Sequence, residues 1–300
     1  MQHIPGIRGM LMVALAVAAS CAMDLAFAAV STNVRSGFQS QRFDSVDGTG
    51  SAFVQSASLQ HTASGIFGEA SASAGPGSLS TFATAAANAN SSDGSNGVYM
   101  TARATLNDSF TITSGSELPL LLEFAAGASG TVEASHPGGP FGISTAETLW
   151  SIALSGPGAD FSTSGGITKQ WNRRAPTFVF QLDTVERGIG FDDFVIAIGV
   201  PAGSAGQTFD IAMSATAHAS VSRPQSGNST AIADFGSTLE WLGLVSATLP
   251  DGTPYTGPLT IVSESGFDYR EAATPVPLPA TALLLALGCL PWIARPPRRA

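Results

Sequence analysis

VYMTARATLNDSFTI, residues 98–112, decides the fold class. Val98, Met100, Ala102, Ala104 and Leu106 fall on one parity, and Tyr99, Thr101, Arg103 and Thr105 on the other. Side chains two apart share a face of an extended chain, so this is a strand with one dry and one wet face. The apolar parity resumes at Phe110 and Ile112, past an expected kink at Asn107–Asp108. TFDIAMSATAHASV (208–221) repeats the pattern, with Phe209, Ile211, Met213, Ala215, Ala217, Ala219 and Val221 facing in.

Outward from these two segments the period of two persists. Thr177–Asp183 sets Phe178, Phe180 and Leu182 on one face, and Leu118–Phe124, Thr148–Leu154, Ala231–Leu242 and Leu259–Val262 add candidates. Phe194–Val200 is continuously apolar and reads as a central strand. Turn chemistry separates the runs at Gly75-Pro76-Gly77, Ser92-Asp93-Gly94, Gly156-Pro157-Gly158 and Asp251-Gly252. No helical period extends beyond two turns. Some ten antiparallel strands in about 245 residues predict an all-β, two-layer, jelly-roll-like sandwich forming one domain over 29–272. Residues 60–95, rich in Ala, Ser and Gly, read either as small-residue strands or as a partly disordered insert.

Composition narrows the function. Only 12% of the residues are charged, the net charge is −9, and Lys169 is the one lysine. Binding nucleic acid through its phosphates needs clustered cations, so that class is excluded. Met10–Ala19 is an apolar run behind Arg8, followed by Ala26-Phe27-Ala28. These features predict a signal peptide over 1–28, with Ala26 and Ala28 framing the cleavage site for signal peptidase after Sec export. Ala18-Ala19-Ser20-Cys21 offers a rival, lipoprotein-type site. The two cysteines, Cys21 and Cys289, both lie in terminal segments expected to be removed. Residues 29–276 then hold no cysteine and carry nine Lys/Arg against 21 Asp/Glu, a net of −12.

The C-terminal segment, 273–300, has three parts. Val276-Pro277-Leu278-Pro279-Ala280 is stiff and extended, Ala280–Ala294 is apolar, and Arg295, Arg298 and Arg299 close the chain with a basic tail. An apolar stretch followed by arginines is a stop-transfer pattern, although 15 residues broken by Pro291 make a short anchor. A buried core helix is the rival, but Leu283–Leu287 has no polar face.

This order resembles the PEP-CTERM class of sorting signals in its VPLPA variant, with Leu278 in place of the commoner Glu. The resemblance implies an exported Gram-negative protein whose tail passes transiently through the inner membrane and is removed by an exosortase. The stretch before it is similar to the closing segment of other such substrates, at Ala233-Asp234-Phe235 and at Ser263-Glu264-Ser265-Gly266-Phe267-Asp268-Tyr269. No catalytic or ligand role follows from that likeness. The expectation is a last hairpin of the sandwich, docked just before the linker.

Chemical motifs are sparse. Gly-x-Ser-x-Gly, His-Glu-x-x-His and the glycine-rich phosphate loops are missing from the sequence. Asp183, Glu186, Asp192 and Asp193 surround Arg187-Gly188-Ile189-Gly190. This group reads as a solvated turn, as a Ca²⁺ site, or as part of a glycosidase acid pair. Trp150 and Trp241 lie inside strand patterns and read as core. Trp171 lies in Lys169-Gln170-Trp171-Asn172-Arg173-Arg174, taken as a loop. There Trp171, Arg173 and Arg174 can grip an anionic exopolysaccharide, or the loop is ordinary surface. His218 falls on the polar parity and reads as surface decoration. No cofactor and no catalytic residue is expected. The reading is an exported, non-enzymatic surface or matrix protein, with a carbohydrate-binding module as the alternative.

Overall fold

A computed structural model describes residues 29–38, 43–51, 55–63, 65–88, 97–135, 142–173, 181–188, 192–203, 206–222 and 228–275. The expected signal peptide and the segment from Val276 onward lie outside the described residues. So do 174–180, with Phe178, Phe180 and Arg174, and the 189–191 part of the acidic group.

The described chain is all-β and antiparallel. Its strands are β1 (Ala29–Phe38), β2 (Phe43–Ser51), β3 (Gln55–Ala63), β4 (Ile66–Gly75), β5 (Ser78–Asn88), β6 (Gly97–Ser114) and β7 (Leu120–Ser135). They continue with β8 (Gly142–Gly156), β9 (Ala159–Arg173), β10 (Gln181–Gly188), β11 (Asp193–Val200), β12 (Gln207–Ser222), β13 (Asn228–Thr248) and β14 (Leu259–Ser263). One sheet has eight strands in the order β10-β9-β8-β12-β6-β1-β2, with β14 also paired to β6; the other has six, β11-β7-β13-β5-β4-β3. β1 covers one edge of β6 as far as Asn107, and β14 takes over that edge from Phe110 to Ser114. The sheets face each other, β4 over β1 and β6, β5 over β6 and β12, and β7 over β8 and β9.

The parity read at residues 98–112 and 208–221 is the inner face. Every named inward residue of β6 and β12 is buried. Large parts of this face are alanine: Ala102, Ala104, Ala215, Ala217 and Ala219 meet Ala70, Ala72, Ala83, Ala85, Ala231 and Ala233. Met100 fills the space opposite Gly68, where an added Cβ would lie 2.6 Å from its Sδ. Bulk is concentrated at one end, where Phe110, Phe124, Phe209, Trp241 and Tyr269 are wholly buried. Residues 60–88 resolve the earlier alternative: they are strands, and β4 and β5 lie inside the six-stranded sheet.

Several expectations are corrected. β6 runs through Asn107–Asp108 without a kink, since its pairing with β12 continues in register there, Asp108 opposite Ile211. Among the described residues Phe194–Val200 is an edge strand, not a central one, and pairs only with β7. Its apolar run misleads because Ile196, Ile198 and Val200 face in while Val195 is 52% exposed. The strand expected at 177–183 is placed at Gln181–Gly188 as far as the described residues go. The closing segment is not a hairpin either, because β13 and β14 belong to different sheets.

Gly166 shows what the pairing of β8 and β9 demands. Its φ is +155°, and a Cβ there would run into the Thr148 carbonyl oxygen. Gly166→Ala should cost about 2 kcal/mol or more in urea unfolding. Gly199→Ala, where a Cβ meets nothing within 4 Å, should leave the midpoint nearly unchanged.

Candidate functional site

Asp108 sits on the inner parity of β6, between Leu106 and Phe110, and is 4% exposed. An isolated carboxylate in such a row would be costly, so its partners matter. Oδ1 accepts from the backbone N–H of Ser109 at 2.8 Å and of Ser265 at 3.2 Å. Oδ2 accepts from the hydroxyls of Ser265 at 2.5 Å and Tyr269 at 2.7 Å. Three of these four donors come from the segment after β14. That segment reaches Asp108 because Ser263 Oγ donates to Phe267 O at 2.7 Å, while Gly266 turns the chain with φ +77°.

Tyr269 is the hub of this end. Its ring lies 4.7 Å from Phe110, on the eight-stranded sheet, and meets Trp241, on the six-stranded sheet, edge-on at 5.3 Å. Phe267 meets it edge-on at 4.9 Å. Burial, then the nearby Asp108 carboxylate, push the phenol well above the ordinary tyrosine range. Trp241 completes the clasp: Nε1 donates to Tyr269 O at 2.8 Å, and its carbonyl accepts from Ala273 N at 2.7 Å. The stretch Ser263–Tyr269 thus acts as a seal between the two sheets at this end. The sequence reading named these residues and missed their partner, Asp108, whose inward parity was its one signal.

The residues singled out for chemistry are spread over β9, β10 and the start of β11. Asp183 and Glu186 lie within β10, opposite Gln170 and Ile167 in the eight-stranded sheet, rather than in a turn. Asp192 and Asp193 are exposed at the start of β11 in the other sheet, with Asp193 opposite Gly127. Among the described residues no group of three or more His, Cys, Asp or Glu is arranged to hold a metal ion. Lys169–Arg173 is strand, not loop: it ends β9. Trp171 is half-buried and pairs with Ser144, which is buried on the inner parity of β8, so Trp171 shares the inward row. Trp150 is core as expected and stacks on Phe194 at 5.1 Å and 8°.

The outer face of the eight-stranded sheet is a polar array. His218, half-buried rather than loose decoration, pairs Nδ1 with Thr101 Oγ1 at 2.8 Å. Burial lowers its pKa, against a smaller upward pull from Glu147, which stands opposite it on β8. Thr168 donates to Glu147 Oε1 at 2.9 Å, and hydroxyl pairs cross strands at Ser31–Thr105, Ser151–Ser214 and Thr111–Thr208. An open cleft of about 360 Å³ lies along Asn107, Ser109, Ser155, Asp210 and Glu264.

On the opposite outer face Glu69 is 3% exposed, and burial raises its pKa from 4.5 to about 7. Among the described residues no helix is long and apolar enough to cross a membrane. No protein-family profile matches the chain, and no curated protein matches it in sequence.

Two outcomes check the clasp and the buried acid. Tyr269→Phe keeps the ring and loses one hydrogen bond, so it should cost about 1–2 kcal/mol in urea unfolding. Asp108→Ala leaves three donors of the closing segment without their acceptor and should cost about 3 kcal/mol or more. For Glu69 the folded pKa lies above the unfolded one. Its contribution is therefore fully present below 4.5 and is lost as pH rises through about 7. Glu69→Gln should raise the melting temperature at about pH 8, and the gain should be gone by about pH 4.

Proposed function

We propose that this chain is an exported, non-enzymatic surface or extracellular-matrix protein, processed by an exosortase through its C-terminal segment. The body is then a jelly-roll-like sandwich carried between a removable leader and a removable tail. The observation that carries the reading is the order of the last 25 residues: Val276-Pro277-Leu278-Pro279-Ala280, an apolar run, then Arg295, Arg298 and Arg299. The apolar Met10–Ala19 before Ala26-Phe27-Ala28 supports export, and the confinement of both cysteines to the termini agrees with a body that folds without disulfides outside the cytoplasm.

Where the folded body stops supports the same reading. Ala273 is buried and hydrogen-bonded to Trp241, whereas Thr274 and Pro275 are exposed. Two residues, Thr274 and Pro275, separate Ala273 from Val276, a reach of at most about 10 Å. The prolines then remove backbone donors, so the motif cannot add itself to a sheet edge or extend a helix upstream. An extended, unpaired peptide held close to a globular body and followed by an apolar run suits a protease that works at a membrane surface. Arginines beyond the run oppose its passage through the bilayer.

The test is an intact-mass measurement in a Gram-negative host that has an exosortase and in the same strain without it. With the enzyme, the mature chain should end near the Val276–Ala280 motif; without it, the chain should retain Ala300. Replacing Pro277 and Pro279 by alanine should leave unprocessed precursor in the inner membrane. A chain that ends at Ala300 in both strains overturns the reading.

A further inference from the structure

The six-stranded sheet ends at β11, and that strand lacks the features that keep a sheet edge from pairing. Exposed edges are ordinarily blunted by charge, proline or a bulge. β10, the edge of the other sheet on this side, carries Asp183, Glu186 and Arg187 within its 8 residues. β2 and β3, the edges on the far side, lie against each other. β11 (DFVIAIGV) has no proline, no charge after Asp193 and no glycine at positive φ. Its outer row is open to solvent: Val195 is 52% exposed, and Ala197 and Gly199 are exposed with it. Gly199 has no side chain, so what is exposed there is backbone.

Which backbone groups are free follows from the ladder. Ala128 N–H donates to Asp192 O at 3.2 Å, and the register pairs Asp193 with Gly127 and Val200 with Leu120. In an antiparallel pair the hydrogen-bonded positions alternate. Phe194, Ile196, Ile198 and Val200 therefore turn their N–H and C=O to β7. Val195, Ala197 and Gly199 turn theirs to the open side, with no partner among the described residues. The run is closed at both ends: Asp193 N–H donates to Asp192 Oδ1 at 2.9 Å, and Pro201 has no N–H. What remains, Val195–Gly199, is symmetric about Ala197.

We propose that β11 pairs antiparallel with β11 of a second copy of this chain, centred on Ala197, and joins two six-stranded sheets edge to edge. Ala197 then faces Ala197, and Val195 of each copy faces Gly199 of the other, so every free donor and acceptor of the run is used. The side chains fit the same register. A Cβ at Gly199 would meet nothing within 4 Å, and Leu121, opposite Gly199 on β7, is 43% exposed. Val195 of the second copy enters that open space, and with Leu121 it covers the Gly199 backbone from either side. An unrelated strand would have to reproduce this spacing, whereas a second copy brings it twice by symmetry. Charge does not oppose the pairing. The two Asp193 residues stand about 27 Å apart along the strands, well beyond the screening length of about 8 Å. Glu123, beside Ala197 in its row, is held by Ser246 Oγ at 2.7 Å and lies about 14 Å from its counterpart. The inference concerns the folded body and does not depend on processing of the tail.

The test uses the full chain with Cys21→Ser and Cys289→Ser, in a mild non-ionic detergent that solvates the apolar terminal segments. Hydrogen-bonded antiparallel partners lie about 5.5 Å apart at Cα, within disulfide range. Ala197→Cys should therefore oxidise to a two-chain disulfide at least tenfold faster than Thr131→Cys, an exposed site on the outer face of β7. Val195→Cys alone should be as slow as Thr131→Cys, while Val195→Cys mixed with Gly199→Cys should form the mixed disulfide at least tenfold faster. Without an introduced cysteine, light scattering at about 0.1 mM, a concentration suited to a small interface, should give two chains per particle. Ala197→Pro removes the central donor and leaves the ladder to β7 intact, and it should give one. A single chain without that substitution, an Ala197→Cys rate no higher than that of Thr131→Cys, or self-linking of Val195→Cys overturns the proposal. Particles of two or more chains that survive Ala197→Pro assign association to another surface and overturn it too. Should Ala197→Pro fail to fold, the mixed link between Val195→Cys and Gly199→Cys decides, and its absence overturns the pairing.

Discussion

A carboxylate placed in the core row of the longest internal strand pairing constrains everything at one end of this molecule. Asp108 interrupts the apolar parity of β6 without interrupting its ladder, so its oxygens point between the sheets. Each of its two oxygens accepts two hydrogen bonds there. β6 itself supplies only the Ser109 N–H. The remaining three come from residues 265 and 269, more than 150 positions later. Such an acid is costly to leave alone and well satisfied when the segment arrives, which makes the closing segment specific rather than merely adhesive.

The same end explains the packing of the whole. Alanine dominates the facing rows through the middle of the sandwich. Aromatic side chains fill the Asp108 end, where Phe110 and Phe209 of one sheet meet Phe124 and Trp241 of the other. The space among these rings takes one more aromatic side chain. Tyr269 fills that place with its ring and satisfies the acid with its hydroxyl. One residue thus does the packing and the hydrogen bonding that would otherwise need separate groups.

What the sequence yields and what it withholds divide along physical lines. Alternation fixes a face, so the inward rows of β6 and β12 were legible residue by residue, as was the burial of Trp150 and Trp241. Alternation carries no information about neighbours, so the edge position of β11 was not legible, and an apolar run beside solvent passed for a central strand. The basic stretch at Lys169–Arg173 looked like a loop because polar side chains dominate it. It is strand because β8 and β10 pair with it on both sides. The acidic group is divided by the topology: Asp183 and Glu186 lie on β10 of one sheet, Asp192 and Asp193 at the start of β11 of the other. Asp108 was visible only as an exception, a carboxylate on the dry parity, and its meaning depended on partners that local pattern cannot reveal.

The position of the clasp bears on how a tail could be handled without loosening the body. Tyr269, Trp241 and Ala273 form a continuous chain of contacts that ends two residues before Pro275. Tension on the C-terminus meets this clasp first. The clasp is tied at one side to β6 through Asp108 and at the other to the β4–β5 hairpin through Trp241 and Gly77. Both sheets therefore share the load, and neither edge strand is exposed to it. On the proposed reading this division matters. A peptide that is inserted in a bilayer, gripped by a protease and cut must be free in its backbone, while the fold immediately before it must not fray. The exposed Thr274 and Pro275 after Ala273 satisfy the first demand, and the buried acid with its late-arriving donors satisfies the second.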